Sequence, residues 1–348
     1  MLLQKISLIN FRNFDQKEFN FSPFLTVVFG ENSRGKTNLL EAIFCLTHGV
    51  GFRETREEEL LTINKTRAKI TGSFFDDQTK IELQINFNKK DGLFEKKYLV
   101  NKTTKKLTQY RPETVNTILF SPQQLEIVTG SPDGRRQYFD KLISFYDVEY
   151  KKRVNNYENA LRKRNKILES YRDDKQLKEE LFFWDDYLEK QAGYISQKRG
   201  NYIDFLNHYQ KIDDKKFSIK YLMNPLTKTR LEEFLEREKR YRKTLIGPQK
   251  DDFQINIVEN NFQRNLHLFG SRSEHRLGIF WLKLNEIRYC EEKIKKKPIV
   301  LLDDIFSELD LKNKKLILDL IKKYQTILTT AEPEVIKLSD ISKTVIKL

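Results

Sequence analysis

Cysteine is almost missing from this chain: Cys45 and Cys290 are the only two in 348 residues, each alone in an apolar, helix-spaced stretch. No C-x-x-C occurs, and the four histidines do not cluster. Structural zinc is therefore not expected, and a reducing cytoplasm is the expected compartment. No apolar run approaches the length that crosses a bilayer, so no membrane partner is expected. Met1 to Lys5 alternates as a strand does, unlike the start of a signal peptide. Internal repeats and low-complexity tracts do not stand out. Positive charge, by contrast, is abundant: 64 Lys and Arg against 50 Asp and Glu, a formal net charge of +14. That excess suits a phosphate-rich polymer partner, and equally a solvated lysine-rich surface; composition leaves both open. At 348 residues the chain exceeds the usual single core, and two lobes are expected.

Gly30-Glu31-Asn32-Ser33-Arg34-Gly35-Lys36-Thr37 fits G-x-x-x-x-G-K-[ST], the loop whose backbone N–H groups cradle nucleotide phosphates. The glycines let the chain curl around oxygen atoms, Lys36 reaches the β- and γ-phosphates, and the Thr37 hydroxyl is placed to ligate Mg²⁺. Phe24–Phe29 reads as a buried strand entering the loop. Asn38–Phe44 reads as a helix leaving it, its positive end toward the anion. The pattern predicts nucleotide binding.

Around this loop the spacing predicts strands over 3–11, 68–75, 80–87, 93–100 and 118–120, with Asp91-Gly92 as a hairpin turn. Near Ser131 the period changes from two to about 3.6. Tyr146, Tyr150, Val154, Tyr157, Leu161, Leu168 and Tyr171 form one stripe; Leu177, Leu181, Trp184, Leu188, Ile195, Tyr202, Leu206 and Tyr209 form another. These tyrosines read as core before base-stacking platforms, since the helical spacing already explains them. Lys151-Lys152-Arg153, Arg162-Lys163-Arg164 and Lys198-Arg199 are either a solvated face or a phosphate-contacting one. An α/β pattern returns after Arg242, with a strand over 253–258 and a helix over 273–293. The expectation is an α/β fold split into 1–130 and 243–348, with a mainly helical lobe over 131–242 inserted between. In its second part Ile299–Leu302 is a buried strand delivering Asp303 and Asp304 to its carboxyl end, where ligands of parallel sheets sit. This is a Walker B arrangement, the first carboxylate for Mg²⁺ and the second to polarise attacking water. Ser307-Glu308-Leu309-Asp310 has the form of a D-loop, an element of ABC-type ATPases in which two subunits sandwich two nucleotides.

In order along the chain, further segments resemble the RecF family, bacterial recombination-repair ATPases related to SMC and ABC proteins. They are Asn10–Phe14, Gly30–Ile43, Phe120–Pro122, Gly130–Asp140, Leu161–Asn165, Trp184-Asp185, Leu245–Phe253 and Leu301–Asp310. The resemblance runs nearly end to end. It implies an ABC/SMC-type P-loop ATPase head, a mixed sheet with flanking helices, interrupted by the helical lobe. It implies ATP and Mg²⁺ as ligands, an ATP-dependent homodimer, and single- and double-stranded DNA held mainly through phosphates. It also implies RecO- and RecR-like partners and help in loading RecA at gapped DNA. By position Gly30, Glu31, Asn32, Ser33, Arg34, Gly35, Lys36, Thr37 and Asn38 meet the nucleotide, and Arg12 reaches it from the first strand. Thr37 and Asp303 hold Mg²⁺; Lys36 and Asp304 are catalytic, Asp304 as general base. Gln123 takes the Q-loop position, Thr330 the switch position, and Ser307 and Asp310 the D-loop.

One segment departs from the family. Its signature Ser-Gln-Gly-Gln-Gln-Arg is here Ser271-Arg272-Ser273-Glu274-His275-Arg276. Ser271 and Ser273 are expected to face the partner subunit's nucleotide. Ser273 adds a Cβ where glycine allows close approach, and Glu274 adds negative charge that Arg272 partly offsets. ATP binding is expected to survive and hydrolysis to slow. The alternative is an architectural DNA-binding protein that holds ATP without significant turnover.

Overall fold

The structure, a computed structural model, describes residues 1–53, 56–76, 78–111, 115–259, 262–305, 311–334 and 342–348, with the backbone alone at 311–313. Its contacts divide the chain into two units, Met1–Gln124 with Lys283–Leu348, and Leu125–Leu282. The expected D-loop residues Ser307 and Asp310 lie outside the described residues.

The first unit opens with β1 (Leu2–Phe11), β2 (Phe14–Asn20) and β3 (Leu25–Phe29). Then come α1 (Lys36–His48), β4 (Arg67–Phe75), β5 (Lys80–Lys90), β6 (Leu93–Val100), β7 (Thr103–Lys105), α2 (Leu107–Tyr110) and β8 (Thr117–Phe120). The second unit holds α3 (Glu126–Thr129), α4 (Pro132–Tyr146), α5 (Val148–Ser170), α6 (Asp174–His208), β9 (Lys211–Ile212) and β10 (Lys215–Leu222). It continues with α7 (Lys228–Tyr241), β11 (Asp252–Glu259), β12 (Phe262–Asn265), α8 (Leu266–Phe269) and the start of α9 (Arg272–Ile294). Back in the first unit are β13 (Ile299–Asp303), α10 (Leu311–Lys323), β14 (Thr326–Thr330) and β15 (Lys343–Lys347).

In the first unit antiparallel and parallel strands segregate. An antiparallel sheet runs β2-β1-β4-β5-β6-β7, and a parallel sheet runs β15-β3-β14-β13-β8. Alternation sets the first. In β4, Ala68, Ile70 and Phe74 are buried while their neighbours face outward. In β1 the buried set runs Leu3, Ile6, Leu8, Phe11, and the break after Leu3 is a bulge between Leu3 and Lys5. Asp91 and Gly92 both take positive φ, 52° and 76°, in the two-residue β5–β6 turn. The parallel strands are apolar on both faces, as strands covered on both sides must be. Helix α1 packs into the core that both sheets share. At Gly72 a Cβ would lie 2.3 Å from Leu46 Cδ2, so glycine is what lets α1 lie this close to β4. Gln325 clips the sheets at the other end: its amide accepts from Leu3 N at 2.8 Å and donates to Leu3 O and Ser22 O, each at 2.8 Å.

The second unit ends at Leu282, so the return to the first unit lies forty residues beyond the expected 243. The reason is strand pairing. β11 hydrogen-bonds along the whole of β10 in the antiparallel sheet β12-β11-β10-β9, and the Trp281 indole donates to Tyr209 O at 2.6 Å. Nor do Tyr146 and Tyr150 share a helix. Asp147 ends α4 and caps α5, its side chain accepting from Tyr150 N at 2.8 Å. Of the other stripe positions Tyr150, Tyr157, Leu168, Leu177, Leu181, Leu188, Ile195, Tyr202 and Leu206 are buried, while Val154, Leu161, Tyr171, Trp184 and Tyr209 are half-buried.

Several expected surface cations are internal. Arg199 donates to Asp140 Oδ2 at 2.8 Å, Asp251 Oδ2 at 2.6 Å and Pro248 O at 2.8 Å. Tyr150 and Tyr221 hydroxyls complete those two carboxylates at 2.5 Å each. Arg164, fully buried, spans Asp185 at 2.6 Å, Glu238 at 2.7 Å and Thr244 at 2.8 Å. Lys152, Arg162 and Lys163 remain exposed on α5. Removing one partner of such a network strands a buried charge. Asp251→Ala is expected to lower the unfolding free energy by about 3–5 kcal/mol, while Lys163→Ala stays within about 0.5 kcal/mol of the parent. Denaturant titration of both variants measures the difference.

Candidate functional site

The parallel register sets the site. Phe29 lies opposite Thr330 and Asp303 opposite Thr329, so β3, β13 and β14 end together at one carboxyl edge. The phosphate loop leaves β3 there. Gly30 N donates to Thr330 O at 3.4 Å, tying the loop to the expected switch residue. Ser33 takes φ 66° and Gly35 φ 106°. A Cβ on Gly35 would also fall 2.6 Å from Asn13 Nδ2 and 2.9 Å from the Phe14 ring, so both sterics and dihedral require glycine. Asn13, in the β1–β2 turn, braces the loop by donating to Arg34 O at 3.1 Å and accepting from Asn38 Nδ2 at 2.8 Å. Glu31 and Arg34 pair in solvent at 3.2 Å.

Lys36 is buried, its Nζ donating to Gly30 O at 2.7 Å and Glu31 O at 3.0 Å, with Asn32 Oδ1 at 3.5 Å. No side chain caps α1 at Gly35, and no acid stands in its first turn. The leading N–H groups and the helix dipole thus favour an anion. Thr37 Oγ1 donates to Asp303 Oδ1 at 2.8 Å, and Thr329 Oγ1 donates to the same oxygen at 2.9 Å. Asp303 is 3% exposed. Burial raises its pKa, and the two hydroxyls work against that rise. A buried carboxylate beside a threonine hydroxyl is a hard oxygen donor set, and it fits Mg²⁺ held partly by water and phosphate oxygens. Asp304 is half-buried with φ 49°, its N–H fixed by Thr329 Oγ1 at 2.9 Å.

Arg12 comes to the same edge but is already engaged. Its guanidinium forks onto Glu41 of α1 at 2.7 and 3.0 Å. Arg53 joins Glu41 at 3.1 Å, and its backbone N–H donates to the other oxygen at 3.2 Å. The Glu41 side chain is fully buried between two arginines, a triad of net charge +1 that sequence reasoning missed. The signal was available: a lone acid inside the apolar helix Leu39–Leu46 needs a cation. Arg12, Asn38, Arg53 and Ile63 line a pocket of about 600 Å³ beside the loop. Gln123 is exposed just past β8, and it is Gln124 that fastens the turn, bonding Leu119 O at 3.1 Å and Ser121 N at 3.2 Å.

Comparison with known proteins shows the family. The RecF/RecN/SMC N terminal domain family matches residues 2–347. A protein of Natranaerobius thermophilus called DNA replication and repair protein RecF is 32% identical, covering 96% of this chain and 92% of its own length. One of the same name from Clostridioides difficile is 30% identical, covering 95% and 92%. The chain belongs to the RecF family. A solved structure described as the recombination mediator protein RecF-ATPrS in the RecFOR pathway superposes with TM-score 0.86 at 28% identity, covering 99% of this chain and 95% of that one. An Smc head domain from Pyrococcus furiosus, at TM-score 0.52 and 17% identity, shares the fold. Among the described residues no helix is long and apolar enough to cross a membrane.

In this RecF-family chain the altered signature lies in the second unit. Ser271, Arg272 and Ser273 are exposed where α9 starts. Glu274 turns back on its own helix: it accepts from Ser271 N at 2.9 Å, while Ser271 Oγ accepts from Glu274 N at 3.3 Å, a capping box. Arg264 grips the same carboxylate at 2.6 and 3.2 Å. Hydrogen bonds from Arg264, with Ser271 N–H helping, hold the Glu274 pKa at about 2 against an ordinary 4.5. A depressed carboxylate pKa adds stability that is complete above pH 4.5 and fades as pH falls toward 2. Glu274→Gln is therefore expected to cost about 2 kcal/mol at pH 7. Its thermal melts should converge with those of the parent as pH drops through that window.

Proposed function

We propose that this chain binds ATP with Mg²⁺ at the phosphate loop and that two copies close over the bound nucleotides. The closed dimer grips DNA at gaps and single-strand/double-strand junctions and promotes RecA loading together with RecO- and RecR-like partners. One contact supports the reading most: Thr37 Oγ1 on Asp303 Oδ1 at 2.8 Å, which joins the loop to the strand end. Phosphates rest on the α1 N-terminus and Lys36. Thr37 and Asp303 hold Mg²⁺, which when bound supplies charge neutralisation at the phosphate oxygens. Arg12 and Arg53, fixed by Glu41, offer positive charge beside the pocket for the nucleoside end. Asp304 orients and deprotonates water, and the turnover is slow.

DNA is held through its backbone, with exposed Lys152 and Lys163 on one face of α5 among the contacts. A second reading, ATP held without significant turnover, draws on Ser273 standing where the family has glycine. Light scattering with and without ATP is expected to show dimerisation that Lys36→Ala abolishes, with DNA affinity falling steeply as salt rises. Asp304→Asn is expected to cut DNA-stimulated phosphate release by about 100-fold or more while ATP binding persists. Equal release from parent and variant decides for the second reading.

A further inference from the structure

The first unit carries a second cavity, of about 730 Å³, at the amino ends of the parallel strands, the edge opposite the phosphate loop. Its floor is apolar. Pro298 and Ile321 are buried there, Tyr324 is half-buried, and Phe24 leaves 53% of its surface open. Its mouth is cationic: Lys296, Lys297, Lys322 and Lys323 are all exposed, at the points where α9 and α10 run out. Lysines after a helix complement its dipole, and Lys297 does so, donating to Lys323 O at 3.2 Å while lying 5.9 Å from the Tyr324 ring. The dipole does not explain why lysines from two helices ring one apolar hollow.

Negative charge at the mouth is scarce. Among the described residues Asp76 is the one acid in the lining, with Lys296 at 3.6 Å, and Lys322 stands 4.0 Å from Asp319. Lys297 and Lys323 have no carboxylate partner among the described residues.

We propose that this cavity docks an acidic peptide segment of a partner protein, seating one apolar side chain among Phe24, Ile321 and Tyr324 while its carboxylates meet the four lysines. The volume falls in the range of small-ligand pockets, about 300–1,000 Å³, ample for one or two side chains. Aromatic and aliphatic floors with charged rims are how short peptides are anchored. A single-strand nucleic-acid site would instead lay its cations along a track with stacking rings in series. Here all four cluster around one opening, and among the described residues the lining contains no arginine. This surface is independent of the nucleotide reading, since it lies at the other end of the sheet.

The test uses the full chain and a fluorescein-labelled ten-residue peptide, rich in Asp and Glu with a central Leu-Phe. Fluorescence polarisation is expected to show binding at low ionic strength with a Kd on the order of 10 μM. Replacing every acid of the peptide by its amide is expected to abolish that binding. Lys296→Glu with Lys322→Glu should weaken it at least tenfold, and Phe24→Ser about fivefold, with the thermal melting temperature unchanged. Hydrogen exchange on the unmodified protein is expected to show peptide-dependent protection at 296–298 and 321–325, which needs no variant to fold. Equal binding of the acidic and amide peptides, no binding at 100 μM, or protection elsewhere would overturn the proposal. So would variants that leave the peptide untouched but weaken a labelled oligo-dT, an outcome that makes the surface a nucleic-acid site.

Discussion

A carboxylate that is out of water at the end of a strand is the constraint that organises the first unit. Asp303 is 3% exposed, and burial alone pushes it toward its neutral form. Two hydroxyls oppose that drift, one from α1 and one from β14. Both donors must arrive in register, so the parallel pairing of β13 with β14 and the angle at which α1 leaves the loop are fixed by the same oxygen. A divalent cation at this point would stabilise the ionised form far more than hydroxyls do, and the donor set is suited to it.

The loop keeps its shape because neighbours brace it from outside. Asn13 touches Arg34 and Asn38 from the β1–β2 turn, where Arg12 takes a positive φ of 52°, as Asn10 does near the end of β1 at 51°. Arg12 and Arg53 then close on Glu41 one turn further along α1. Removing the carboxylate would leave half-buried Arg12 and the more exposed Arg53 in mutual repulsion. At the opposite edge Gln325 supplies hydrogen bonds that the bulged start of β1 lacks. Helix and sheets are thus tied together at both ends of the parallel strands.

What the sequence disclosed depends on how local the cause is. The phosphate loop, the strand ending in Asp303-Asp304 and the Asp91-Gly92 turn are each fixed by a few adjacent residues, and each stands where the spacing puts it. Non-local pairing stayed hidden. β10 alternates Phe217, Ile219 and Tyr221, a strand signal, but its partner β11 lies some thirty residues on, and the intervening helical period masked it. The boundary at Leu282 follows from that pairing. Arg164 and Arg199 look like members of basic clusters because their acids, Glu238, Asp140 and Asp251, are distant in the chain. Charge runs reveal the sign of a surface and not which members face water.

The same distinction bears on the signature segment. Read along the chain, Ser273 and Glu274 raise two objections to a nucleotide approaching α9, one steric and one electrostatic. In the folded unit the second largely disappears. Glu274 spends its charge on Arg264 and on the Ser271 N–H, with a pKa near 2 that reports how completely it is satisfied. Arg272, exposed at the head of the helix, is left to set the local sign. Of the two objections, the steric one, the Cβ of Ser273, is what remains. A methylene at a point of close backbone approach lengthens contacts without reversing their charge. On the proposed nucleotide reading, it would tax the tightest, closed arrangement more than the initial holding of ATP.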